Sequence, residues 1–174
     1  MNMPRRSHDT RPHLPVISPD SSPFLTDRWY PIAASHSVRS RPSTVRRLGR
    51  SIVLWRDARG VLHAHDSRCP HRGVDLGLGR VIGGELECPY HGFRFGPDGA
   101  CTRVPCEPED APIRRDLVTR PHVVREERGL VWLWHGRDDA ALPAIPWFDE
   151  LPQNLGRAWD WEETWPLPQL RVME

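Results

Sequence analysis

Four side chains stand out for the chemistry they could do: Cys69, His71, Cys88 and His91. They lie in Cys69-Pro70-His71-Arg72-Gly73 and Cys88-Pro89-Tyr90-His91-Gly92, with sixteen residues, Arg72 to Glu87, between His71 and Cys88. Two soft thiolates and two imidazoles suit either a zinc ion or an iron–sulfur cluster. The spacing separates these choices. A C-x-H bite is shorter than the usual zinc-finger pair, whose ligands are about two to five residues apart. A [2Fe–2S] centre in which two His replace two Cys on one iron needs two loops, each offering one Cys and one His. Each Cys would then reach the inner iron and each His the outer one. The four residues are read as the metal-ligating and cofactor-binding set for one such cluster, whose chemistry is single-electron transfer. A structural zinc module is the alternative, distinguished by its lack of visible absorption.

The loop composition agrees with that assignment. Pro70 and Pro89 stiffen each loop between its ligands. Gly73 and Gly92 follow close behind, where the backbone has to turn tightly. Backbone N–H groups at such turns can donate to sulfur and stabilise its negative charge.

Other residues of the same types compete less well. Cys101 and Cys106 fall outside the paired motif and are expected to be free thiols. His63 and His65 lie two apart and could chelate, but a strand-face pair is the simpler expectation. Arg68, Arg72, Arg80 and Arg94 crowd the ligand loops and could steer an acidic partner.

The elements that must position these loops are short and β-rich. Ser51–Trp55 and Val61–His65 read as a hairpin turned by Asp57-Ala58-Arg59-Gly60. Glu85–Glu87 leads into Cys88, and Phe93–Phe95 leaves the second loop. Thr119–Arg125 is expected to be a strand, and Gly129-Leu130-Val131-Trp132-Leu133-Trp134 is the strongest one in the chain. Trp132 and Trp134 share a face and should pack in a core. No long segment repeats at 3.6 residues. The expected fold is mainly β, an antiparallel sandwich or small barrel.

The bulk numbers fit one domain with flanking segments. The chain has 174 residues, 38 % of them apolar. Net charge is +1, which argues against a nucleic-acid partner held by bulk charge. No stretch approaches the roughly 20 apolar residues that span a bilayer, and the N-terminus lacks an apolar leader, so no membrane partner and a cytoplasmic location are expected. Residues 1–26, rich in Pro and Arg, read as a disordered tail, residues 27–136 as the domain, and residues 137–174 as a connector rich in Pro, Trp and acidic residues.

Taken together, Cys69-Pro70-His71-Arg72-Gly73 and Cys88-Pro89-Tyr90-His91-Gly92-Phe93 resemble the N-terminal Rieske domain of Rieske non-heme iron oxygenase α subunits, the aromatic-ring-hydroxylating and demethylating type. Trp29-Tyr30-Pro31, Gly79-Arg80-Val81, Gly96-Pro97-Asp98-Gly99 and Gly129–Trp134 look like further landmarks of that family, over about residues 27–136. The resemblance implies a Rieske-type β-sandwich carrying a small cluster-binding subdomain. It also implies a reductase or ferredoxin as electron donor, and as acceptor a mononuclear Fe(II) in a catalytic domain, in the same or a neighbouring subunit. Respiratory Rieske proteins carry an extra Cys in each loop and a hydroxyl residue after the second His-Gly. Here those places hold Val74, Tyr90 and Phe93, which implies a potential in the lower part of the Rieske range.

The catalytic iron motif of that family, Asp-x-x-His followed soon by a second His, is not expected within these residues. After His91 the chain has only His122 and His135, and neither fits the pattern. The expected role is therefore the electron-transfer part of an oxidoreductase, with no catalytic residue in this chain. The alternative is a stand-alone Rieske-type ferredoxin.

Overall fold

The computed structural model describes residues 24–108, 110–137 and 142–147. The proposed tail falls almost wholly outside these residues, as does most of the proposed connector.

Among the described residues, ten short strands make three antiparallel sheets. β1 (Arg28–Ala34), β10 (Leu130–His135) and β9 (Val124–Glu127) form the first, in the order β1-β10-β9. β2 (Ser43–Arg47), β3 (Arg50–Arg56) and β4 (Leu62–Asp66) form the second in sequence order. β5 (Arg80–Ile82), β6 (Glu85–Glu87), β7 (Arg94–Phe95) and β8 (Cys101–Arg103) form the third, which carries the second ligand loop. The helical content among the described residues is two single turns of 3₁₀ helix, Ser35–Ser37 and Leu76–Leu78. None of it is long and apolar enough to cross a membrane.

β3 explains how the layers join. It is an apolar run, Ile52-Val53-Leu54-Trp55, with all four residues fully buried. Successive strand residues point to opposite faces. Ile52 and Leu54 pack with Val131 and Leu133 of β10. Val53 and Trp55 pack with Leu86, Phe95, Cys69 and Cys88. The middle sheet is thus cored on both sides, with the sandwich on one side and the cluster-binding subdomain on the other. β10 alternates in the same way: Trp132 and Trp134 leave the sandwich core and meet Trp29 and Ile145. Trp29 and Trp134 lie 5.4 Å apart, so the core-packing expectation for the tryptophans holds.

The β3–β4 hairpin turns where expected. Asp57 accepts the N–H groups of Arg59 and Val61 at 2.8 and 2.9 Å. The expected strand Thr119–Arg125 is shorter: only Val124–Glu127 is extended and paired. Residues 119–122 instead follow β4 through two spaced bonds, Asp66 N–H to Arg120 O and His122 N–H to Ala64 O. Pro121 stands between them at the non-hydrogen-bonded position opposite His65, where its missing N–H costs the pairing nothing.

Candidate metal centre

The first ligand loop leaves β4 and ends at the 3₁₀ turn Leu76–Leu78. The second joins β6 to β7. Both close on the same pair of hydrogen bonds. Cys69 N–H donates to Val74 O at 2.9 Å, and Gly73 N–H donates back to Cys69 O at 2.7 Å. Cys88 N–H donates to Phe93 O at 2.8 Å, and Gly92 N–H donates back to Cys88 O at 3.1 Å. Gly73 and Gly92 hold φ of 72° and 70°, the left-handed region that costs a side-chain-bearing residue energy.

The two loops therefore superimpose Cys on Cys, Pro on Pro and Gly on Gly. The histidines do not superimpose: His71 occupies the second position after its Cys and His91 the third. One repeated turn thus presents two identical sulfur donors and two differently placed nitrogen donors.

The four side chains lie at different depths. Cys69 and Cys88 are 3 % exposed and lie within one apolar cluster with Trp55, Leu86 and Phe95. His71 is half-buried and His91 exposed. Their rings sit 4.9 Å apart at 55°. Among the described residues no three His, Cys, Asp or Glu side chains converge on one ion position. The four fall into a buried sulfur pair and an outer nitrogen pair.

Without a cation, burial holds the Cys69 thiol in its neutral form. Burial, reinforced by the neighbouring Cys88 thiol, pushes the Cys69 thiol well above the ordinary range, while the N–H groups of His71 and Arg72 pull it back. The Cys69 thiol therefore resists ionisation until a cation shares the site. Desolvation, followed by the charges of His91, Arg72 and Arg114, lowers the pKa of His71 and favours the neutral imidazole a metal needs.

Two supports were not visible in the sequence. Glu87, just before Cys88, accepts Arg80 Nε at 2.8 Å and Arg94 Nε at 2.9 Å. This pairs two of the four arginines expected to face a partner; Arg80 stays exposed all the same, as do Arg68 and Arg72. The second support is aromatic: Phe93 stacks on His71 at 4.5 Å and Tyr90 lies 3.8 Å from His91.

The remaining candidates serve the fold. His65 is fully buried, and its Nε2 donates to Pro97 O at 3.1 Å. Its Nδ1 therefore accepts from the Thr119 hydroxyl at 3.0 Å. His63 contacts Asp57 at 3.3 Å. Cys101 is half-buried and Cys106 exposed, and all four cysteines are free of disulfides.

Residues 28–125 match the family described as the Rieske [2Fe–2S] domain. Among curated proteins, the chain is 40 % identical over 129 residues to the phenoxybenzoate dioxygenase subunit alpha of Ectopseudomonas oleovorans, covering 74 % of this chain and 31 % of that one. It is 35 % identical over 126 residues to the chloroplastic protein TIC 55 of Pisum sativum, covering 71 % and 23 %. Among solved structures, dicamba monooxygenase bound to dicamba superimposes with a TM-score of 0.66 at 33 % identity, over 72 % of this chain and 37 % of that one. The chain thus spans about a quarter to a third of the length of these curated relatives.

Proposed function

Because the chain belongs to the Rieske [2Fe–2S] domain family, we propose that Cys69 and Cys88 hold the inner iron and His71 and His91 the outer iron of its cluster. When bound, the cluster takes up and gives back one electron at a time. The domain spans residues 27–136. It would accept electrons from a reductase or ferredoxin and pass them to a mononuclear non-heme iron oxygenase centre in a catalytic domain, of this or a neighbouring subunit, in the cytoplasm. The names of the dioxygenase and monooxygenase relatives support that direction.

One observation carries the ligand assignment. Two loops with the same hydrogen-bonded turn bury one Cys each and leave one His each at the outer edge. The protein's part in the chemistry follows from that depth difference. The buried side, lined by Trp55, Leu86 and Phe95, keeps water from the sulfurs. The His side stands toward solvent, where a partner can approach closely enough for electron transfer.

The test is reconstitution with iron and sulfide, followed by metal analysis and EPR. The assignment expects about two irons and about two labile sulfides per chain, and a dithionite-reduced signal with nitrogen couplings from two histidines. One zinc per chain and no visible band would reject it.

A further inference from the structure

We infer that Phe93 is the positioning residue for His71: its ring face sets the plane of an imidazole that, among the described residues, no hydrogen bond holds. This rests on His71 being an iron ligand, as proposed above.

A metal-bound histidine ordinarily donates its second ring N–H to a carboxylate, carbonyl or water, and that bond orients the ring. Other histidines here are held in just such a way. His65 is bonded at both nitrogens, His122 to Asp66 at 2.7 Å, and His63 to Asp57 at 3.3 Å. Among the described residues, neither His71 nor His91 has a ring hydrogen bond. Each has an aromatic neighbour instead, and both neighbours come from the second loop. Phe93 lies 4.5 Å from His71 with the planes 23° apart, and Tyr90 lies 3.8 Å from His91 at 31°.

Only one of these rings is itself held. Tyr90 is 61 % exposed. Phe93 is 4 % exposed and belongs to the apolar cluster that contains Cys69, Cys88, Trp55 and Phe95. Its carbonyl also accepts the Cys88 N–H that closes the second loop. Phe93 cannot swing away without opening that core. It therefore fixes a ligand of the first loop against the backbone turn of the second, and makes the two loops one unit. Offset stacking at this separation prefers a narrow range of ring planes. An imidazole confined to that range keeps its nitrogen aimed at the metal, whereas one free to rotate releases it more often.

The experiment compares wild type, Phe93→Leu and Phe93→Tyr in the reconstituted full chain. Leu keeps apolar bulk without a ring face, and Tyr keeps the ring. The readouts are the rate of iron loss to a chelator and the EPR line shape of the reduced state. Phe93→Leu is expected to lose iron about 10-fold faster, the scale on which orienting groups act, with shifted g values, and Phe93→Tyr to restore both. Wild-type rates and spectra in Phe93→Leu would overturn the role while leaving the ligand assignment intact. If Phe93→Leu fails to fold, NMR of the wild-type apo chain decides. His71 ring protons shifted upfield by a stacked phenyl ring support the role, and unshifted resonances overturn it. A wild type that never binds iron sinks the ligand assignment and this role with it.

Discussion

Glu87 and Arg94 face each other across the β6–β7 pair, with Arg94 Nε donating to Glu87 Oε2 at 2.9 Å. Arg80, opposite Glu87 on the β5 side, holds the other carboxylate oxygen at 2.8 Å. The three side chains thus tie three strands together one residue before Cys88. Burial alone would push the Glu87 carboxyl up, but the hydrogen bonds from Arg80 and Arg94 outweigh it and hold the group below the usual carboxylate range.

Glu87→Gln should therefore cost about 2 kcal/mol, the scale of hydrogen bonds to a charged group, measured by urea unfolding. The depressed pKa fixes the sign. Stability from this clamp is present above the unfolded carboxyl pKa, near about 4.3, and is lost as pH falls through the lower folded value. The gap between wild type and Glu87→Gln should close in acid. A gap that stays constant from neutral pH to strong acid would mean the clamp contributes nothing through its charge.

His65 makes a second pH prediction with its own window. Burial first, with smaller contributions from neighbouring charges, pushes its pKa down to about 4. The unfolded imidazole titrates near 6.5. Between these values the unfolded chain binds more protons, so stability rises with pH, is complete above about 6.5, and is lost as pH falls toward 4. The shift corresponds to about 3 kcal/mol. His65→Gln should be less stable than wild type at pH 7 and show a flatter pH profile across that window. Equal slopes for the two proteins would contradict a buried neutral His65.

The ligand set predicts a clean division among the four cysteines. Cys69→Ser and Cys88→Ser should each abolish or strongly bleach the visible cluster band. Cys101→Ser and Cys106→Ser should keep it, because the Cys101 thiol points toward Arg103 O at 3.4 Å and Cys106 is exposed. Loss of the band in either of the latter two would require a different ligand assignment.

The turn glycines predict an order rather than a single value. A Cβ on Gly73 would meet nothing closer than Arg68 Nη1 at 3.8 Å, whereas one on Gly92 would press on Pro105 Cγ at 3.2 Å. Both positions carry the left-handed backbone cost of about 1–2 kcal/mol. Gly92→Ala should therefore unfold at lower urea than Gly73→Ala. The reverse order would show that the Pro105 contact relaxes freely.

What could be read from the residues alone follows a physical line. The four residues proposed as ligands stand out because their types and spacing are properties of the covalent chain. β10 and the β3–β4 hairpin were legible because apolar runs and an Asp…Gly turn act locally. β2, Ser-Thr-Val-Arg-Arg, has no alternation to show. It is a strand because Leu48 and Gly49 both take positive φ and return the chain into register with β3. The Glu87 clamp and the Phe93–His71 stack depend on cross-strand register and on two loops meeting, which residue types and spacing alone do not announce.

The reduction potential is expected in the lower part of the range of about −150 to +300 mV found for Rieske centres, below about 0 mV. Hydrogen bonds to cluster sulfur raise the potential, because they stabilise the added negative charge. The position after His91-Gly92 holds Phe93, whose ring carries no donor and is committed to His71. The Tyr90 ring lies against His91 and is 61 % exposed. Arg72 and Arg114 act on His71 in the opposite sense, since nearby positive charge favours the reduced state. Both are exposed, however, and screening over a Debye length of about 10 Å at 0.1 M salt weakens them. Loss of direct donors should therefore outweigh distant guanidinium charge. A spectroelectrochemical titration at 0.1 M and 0.5 M salt checks both parts: a midpoint below zero, moving further down as salt removes the arginine contribution. A midpoint at or above about +250 mV would show that donors other than Tyr90 and Phe93 reach the sulfurs.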